Sequence, residues 1–469
     1  MHKKMYFDEG AKGLLIIILV SQLFLNNGIY LFAGLFCLAI IAYHLQQPFK
    51  PAVFTLIFVY HFIQISAWVW QSNYLGKDIN FKSPSSGTAI ICSYIGLFFL
   101  FGPIIYFQNK IPVMSKAVLL KHAQRLSIEK TFKAYIIAFV ITNALAGIAL
   151  LVTGFSQVIL SVVNIKWFFF VLFGYQALLK KRMRKQFYLV VVFEFLLGFF
   201  SFFSNFKTVL FFLAFILLTF LYRVYLKQLV FTLILIFAGF FLGVLWSSIK
   251  AEYRSYLNQG SKTQTVQVSQ TEAFDKIVEL SQKQDQSSFD DAVTTLLDRL
   301  QYTYHLAKSM DWVPAKVPYQ EGNNWWETLS FALAPRILNP DKGVYEASTK
   351  TTKYTGLRYL GAKQGVSVSL GYFADSYVDF GYIGMNLPLL IIGLIYGVSY
   401  FYFIKKSSNN FIFNYAVVAG IFMEFTAMEM DSTYLAGRLF ATLLTFFMLK
   451  TFFFPWLMRY LSPQQKPGS

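Results

Sequence analysis

The chain has 469 residues, of which 56% are hydrophobic, 19% aromatic and only 14% charged, and its net charge is +18. Such a composition excludes an ordinary soluble multidomain protein, and repeated apolar runs of spanning length indicate one integral-membrane unit. The excess Lys and Arg fall in short loops between apolar runs, as membrane topology requires, which argues against nucleic acid as their partner.

The N-terminal MHKKMYFDEGAKG and the LLIIILV that follows have the outline of a signal peptide. No small-residue cleavage pattern follows and another apolar run comes at once, so the segment reads as a retained first helix. Apolar runs fall near 14–26, 29–46, 52–71, 87–107, 134–153, 157–178, 187–203, 206–222, 228–247, 377–403, 411–429 and 435–455. At about 1.5 Å per residue each can cross a hydrocarbon core of roughly 30 Å. The expected fold class is therefore an all-α polytopic membrane protein of about 12 spans. One bent segment over the first pair, broken at Asn26-Asn27-Gly28, is the alternative and would move the N-terminus outside. Cys37 and Cys92, the only cysteines, both lie in apolar runs, so neither a disulfide framework nor a zinc site is expected.

Loop charge orients the expectation. Lys110, Lys116, Lys121, Arg125, Lys130 and Lys133 crowd one loop, and Lys180, Lys181, Arg182, Arg184 and Lys185 another. Arg223 with Lys227, and Lys405 with Lys406, mark two more on the same side. Twelve spans place all of these and both termini in the cytoplasm. Spans 1–9 then occupy residues 1–249, a large outer loop 250–376, spans 10–12 residues 377–455, and a cytoplasmic tail 456–469.

Within the outer segment, 260–288 is rich in Gln, Ser, Thr and Lys and reads as a mobile or weakly helical linker. From Phe289, DDAVTTLLDRLQYTYHLAKSM carries apolar residues at helical spacing and reads as an amphipathic helix along the membrane face. Residues 325–384 mix charges, aromatics, Gly and Pro as a folded, ligand-handling loop does, and Trp312, Trp325 and Trp326 suit the interfacial belt.

Several charges fall where lipid should be. Glu194 and Lys207 occupy adjoining spans rich in Phe, Leu and Val, and a charge at a span centre costs at least roughly 2.5–3.5 kcal/mol. Glu194 reads as functional or paired; Lys207 either belongs to the site or snorkels to the outer mouth. Glu424 is a second buried-looking acid, with pairing to Arg438 as its structural reading, and Glu429 and Asp431 follow. Arg254, Arg299, Arg336 and Arg358 bring guanidinium groups to the outer side, a chemistry suited to diphosphate through two parallel hydrogen bonds. Of five histidines only His305 falls on the outer side, as a base or as packing. Asp375 and Asp379, four apart, form either an acid/base pair or a dipole-favoured helix start. No Walker loop, GxGxxG, HExxH or paired CxxC occurs.

The run PRILNPDK (335–342) followed by GYFADSYVDFGYIG (371–384) resembles the outer loop and following helix of bacterial polysaccharide repeat-unit polymerases, the O-antigen polymerase or Wzy-like group. The upstream layout is similar too: a Glu and a Lys in adjoining spans, then an Arg before the loop. The resemblance covers about 194–397. It implies a metal-independent, GT-C-like glycosyltransferase of the bacterial inner membrane, without cofactor, that joins oligosaccharides carried on undecaprenyl diphosphate. Its partners would be the lipid-linked substrate, membrane lipid, chain-length regulators and export proteins. The chemistry needs cations for the leaving diphosphate, for which Lys207, Arg254, Arg299, Arg336 and Lys342 are candidates. It needs a base, for which Glu194, Asp375, Asp379 and His305 are candidates. Trp325, Trp326, Tyr345 and Tyr372 are candidates for sugar stacking. A lipid-linked oligosaccharide flippase and a non-enzymatic subunit of an export complex are the alternatives.

Overall fold

The structure, a computed structural model, describes residues 5–151, 156–199, 206–259, 267–282, 286–334, 343, 345–359 and 367–462. Among these the fold is all-α, apart from the two-residue strand Tyr6–Phe7 lying parallel to Arg223–Val224. Helix is what an apolar chain in hydrocarbon must adopt, because every backbone polar group has to be satisfied within the segment.

Seven helices among the described residues are long and apolar enough to cross a membrane: Gly28–Leu45, Val53–Tyr74, Ser86–Asn109, Ser161–Lys180, Leu226–Lys250, Asn386–Lys406 and Ser432–Leu461. The twelve expected runs all carry helix, but several are too short or are divided. The run expected over 377–403 is two helices, Tyr372–Gly384 and Asn386–Lys406, and Gly381 inside the first takes a left-handed φ of 68° that breaks its axis. The run over 411–429 is helical only for Phe411–Phe422 and a 3-10 turn over Met423–Phe425. Lys207–Thr219 has only 13 residues. Helices of this length reach about 20 Å, short of a hydrocarbon core of roughly 30 Å.

The Val53 helix is central, with 78% of its apolar window buried, whereas the Leu226 helix is outermost, with 6%. Asn386–Lys406 lies close along Ser86–Asn109, and Gly393 and Gly397 permit the approach. A Cβ at Gly393 would overlap the Leu100 carbonyl, and one at Gly397 would sit 3.0 Å from the Pro103 carbonyl oxygen. Two glycines four apart on one helical face are the usual means of bringing membrane helices into backbone contact.

Hydrogen bonds tie the basic loops into one end of the bundle. Lys180 and Gln176 donate to the Leu126 carbonyl, Asn410 to that of His122, Gln46 to that of Leu218, and Ser127 N–H to that of Leu461. At the opposite end pack the short helices of residues 270–355, where Gln71 and Lys82 contact Asp298, Tyr74 contacts Asp290, and Ser83 contacts Asp311.

Candidate functional site

Two short helices and a broken one leave a cavity of about 610 Å³ inside the bundle. Six charged side chains line it: Lys166, Lys207 and Arg438 against Glu194, Glu424 and Glu429. Six bare charges in hydrocarbon would cost at least about 15 kcal/mol, as much as the whole net stability of a typical domain. They are tolerable because they face a cavity and one another rather than lipid.

Glu194, 6% exposed, accepts from Tyr135 Oη at 2.6 Å and from Lys166 Nζ at 2.9 Å. The same ammonium lies 4.3 Å from the Trp167 ring centre, a cation–π contact that holds it against the cavity wall. Glu424, on the 3-10 turn, accepts from Thr442 Oγ1 at 2.6 Å, and Thr442 in turn meets Ser161 Oγ at 3.2 Å. Gln64, midway along the Val53 helix, uses both ends of its amide on the broken segment. Its Oε1 accepts from Met428 N–H at 2.7 Å, and its Nε2 donates to the Glu429 carboxylate. Irregular backbone therefore runs at the depth of a helix midpoint, which a membrane protein permits only where that backbone is buried in protein or lines a cavity.

A cationic cluster adjoins this cavity. Lys207 opens its helix on the cavity wall, and the fields of Arg254, Arg299 and Lys207 all fall on Lys250. Partial burial, and then the charge of Arg299, hold the Arg254 guanidinium below its ordinary value. Bringing like charges together is costly, and any anion entering the cluster recovers that cost. The sequence reading named three of the four and passed over Lys250. Its signal was a like-charge pair, Lys250 and Arg254, one helical turn apart at the end of an apolar run. Lys166 was passed over as well, although it stands as a lone charge before Trp167 and three phenylalanines.

The other named residues lie elsewhere. Arg336 and Lys342 lie outside the described residues. Asp375 is fully buried; its carboxylate meets Lys350 Nζ at 2.7 Å and accepts from Ser432 N–H at 2.8 Å and from the Asn324 amide at 3.4 Å. Asp379, 1% exposed, accepts from the Asn324 and Trp325 N–H groups at 3.0 and 2.8 Å. It thereby caps the helix Asn323–Leu333, whose own N-cap Gly322 has no side chain to offer. Asp431 caps Ser432–Met448 through Tyr434 N–H at 3.0 Å and accepts from Tyr345 Oη at 2.9 Å. Burial, and then the charge of Asp375, push Asp431 up. The three aspartates form an interhelix clamp beside the cavity rather than on its wall.

His305 is half-buried among Tyr302, Tyr304 and Tyr359, with Nε2 3.1 Å from Tyr359 Oη, and burial pushes it down to about 4. Of the four rings proposed for sugar stacking, Trp326 is 70% exposed and Trp325 half-buried. Tyr372 is buried against His61 Nε2 at 2.6 Å and presents no face, while the hydroxyl of Tyr345 is committed to Asp431. Among the described residues, no group of three or more His, Cys, Asp or Glu is arranged to hold a metal ion.

Residues 92–452 match a family model described as Domain of unknown function (DUF8712), and the chain belongs to that family. The match takes in every charged residue of the cavity and of the cationic cluster. Comparison with curated proteins and with solved structures finds no match.

Proposed function

We propose that this member of the DUF8712 family is a membrane glycosyltransferase that polymerises oligosaccharide units carried on a polyprenyl diphosphate. The observation that carries the reading is that Arg254, Arg299 and Lys207 all act on Lys250 electrostatically, with Lys207 on the wall of a cavity lined by three carboxylates and three cations. In this reading the face with the basic loops is cytoplasmic, the twelve helical runs act together as the membrane body, and 250–376 lies outside. The cluster grips the diphosphate, with arginine forks donating paired hydrogen bonds that strengthen as charge develops on the leaving oxygen. The acceptor hydroxyl oxygen bonds to the anomeric carbon and the bond from that carbon to the phosphate oxygen breaks. The electron pair leaves with the diphosphate, and the hydroxyl proton passes to a cavity carboxylate. Glu194, held by Lys166 and Tyr135, is oriented for that role. Trp325 and Trp326 supply a rim on which sugar rings can stack.

Purified protein in liposomes, given a lipid-diphosphate-linked oligosaccharide, should lengthen the glycan. Glu194→Gln and Arg254→Ala should insert normally and fail to do so. Unaltered chain-length ladders from both variants would defeat the assignment.

A second reading, translocation of the same lipid-linked substrate, is favoured by one feature. The broken segment 423–431 places Glu424 and Glu429 at a helix midpoint, an arrangement typical of transporters. Movement of labelled substrate across vesicles without lengthening would select it.

A further inference from the structure

A second cavity, of about 450 Å³, lies against the same two helices as the charged one but against different residues. Ala138, Thr142, Val162 and Ile165 line it, whereas the adjacent Phe139, Asn143, Val163 and Lys166 line the charged cavity. Its wall is almost wholly apolar, and it opens outward, since Ile137, Ile141 and Trp456 are each more than half exposed. It exists because the helix Ser432–Met448 passes into a π-helical turn over Leu449–Phe453 before Phe454–Leu461 resumes. That turn sets the Phe453 and Trp456 rings 5.5 Å apart, and Trp456 then stacks on Tyr460 at 5.7 Å and 7°. Stacked Trp and Tyr beside exposed apolar surface mark the headgroup level of a bilayer.

Cations flank the lining residues Ala134 and Tyr460. Lys130 Nζ lies 5.5 Å from the Tyr460 ring centre and donates to the Ser462 carbonyl at 3.0 Å. Exposed Lys133 immediately precedes the lining residue Ala134, and exposed Arg459 precedes Tyr460. All three belong to the end of the bundle that carries the basic loops.

We propose that this groove is a specific site for an anionic phospholipid of the leaflet on the basic face. One acyl chain lies along Ile137, Ile141, Phe169 and Phe453, and the phosphate sits among Lys130, Lys133 and Arg459. Any lipid tail satisfies the apolar wall. The three cations select the headgroup, as basic pockets between membrane helices do. The site is separate from the charged cavity and stands whether or not the chain is a glycosyltransferase.

The test is thermal unfolding of the delipidated full chain in detergent, titrated with phosphatidylglycerol, with phosphatidylcholine of the same acyl chains, and with inorganic phosphate. Phosphatidylglycerol should raise the midpoint, phosphatidylcholine should do so far more weakly, and phosphate should not. Lys130→Gln with Arg459→Gln, a surface change, should weaken the phosphatidylglycerol response roughly tenfold or more in apparent affinity. Ile141→Trp should fill the groove and abolish the response; if it does not fold, the Lys130/Arg459 variant decides alone. Equal responses to the two lipids, a full response from the Lys130/Arg459 variant, or the same shift with phosphate would each overturn the proposal.

Discussion

Two groups of acids inside the bundle, the three aspartates at 375, 379 and 431 and the three glutamates at 194, 424 and 429, are held in different ways. Each aspartate accepts at least one backbone N–H at a helix start: Asp379 from Asn324 and Trp325, Asp431 from Tyr434 and Asp375 from Ser432, with Tyr345 as a side-chain partner of Asp431 and Lys350 and the Asn324 amide as those of Asp375. The glutamates are met by side chains, Tyr135 and Lys166, Thr442, and Gln64, around an open volume. A buried carboxylate tied to a helix start fixes where that helix begins and has little room left for a ligand. One held by movable side chains on a cavity wall keeps a free edge for a proton or a hydroxyl. The aspartates are fully buried while Glu424 and Glu429 are half-buried, and backbone donors at helix starts mark the first group.

The largest expected break falls on the clamp. Asp375→Ala leaves Lys350 charged beside a fully buried position, and removing one partner of a buried pair costs about 3–5 kcal/mol. Such a loss should appear as failed accumulation of monodisperse protein by size exclusion, and Lys350→Met in the same chain should restore part of it. Next comes Arg254→Ala, in the cationic cluster. It should leave the unfolding midpoint within a degree or two and lower glycan extension by roughly a hundredfold, the usual penalty for losing one donor to developing charge. If Arg254→Ala unfolded the protein while Asp375→Ala did not, the contrast between clamp and cavity would be reversed.

Hydropathy made the helices legible, and positive-loop counting made the shared face of the basic loops legible, because both signals are local. The break at 423–431 was not. Residues 411–429 read as one apolar run, and what holds the chain off its helical path is Gln64, more than 360 residues away in sequence. The spacing of Asp375 and Asp379 is visible in the sequence, but their partners, the start of the Asn323 helix and Lys350, come from segments with no matching pattern. The cationic cluster was partly visible as arginines near the ends of apolar runs. Its convergence, and the membership of Lys250, needed the packing of the Leu226 helix against 286–300.

A smaller effect follows from His305, which belongs to neither acid group. Burial lowers it from about 6.5 to about 4, so it is neutral in the folded chain while the unfolded chain binds a proton below about 6.5. The sign follows: stability is complete above about pH 6.5 and declines as pH falls toward about 4, by at most about 3 kcal/mol. His305→Asn should flatten that part of the unfolding-versus-pH curve. An unchanged slope would assign the acid sensitivity to other groups.

The smallest expected effect is also the one that sharpens the comparison most. Loss of a helix N-cap costs about 1 kcal/mol, up to about 2 where the freed N–H groups are buried, so Asp379→Ala should lower the midpoint modestly. Asp379→Asn keeps an acceptor oxygen for the Asn323 helix but cannot take up a proton as a carboxylate does. If capping is its role, Asp379→Asn should retain extension activity close to that of the unaltered chain, with the pH profile of the rate unchanged. A general base at this position would instead lose nearly all rate in both variants, irrespective of stability. Since Asp379 also sets the start of the helix that carries Trp325 and Trp326, Asp379→Ala should weaken glycan binding more than it slows turnover. A cap is expected to give that division between affinity and rate, and a base is not.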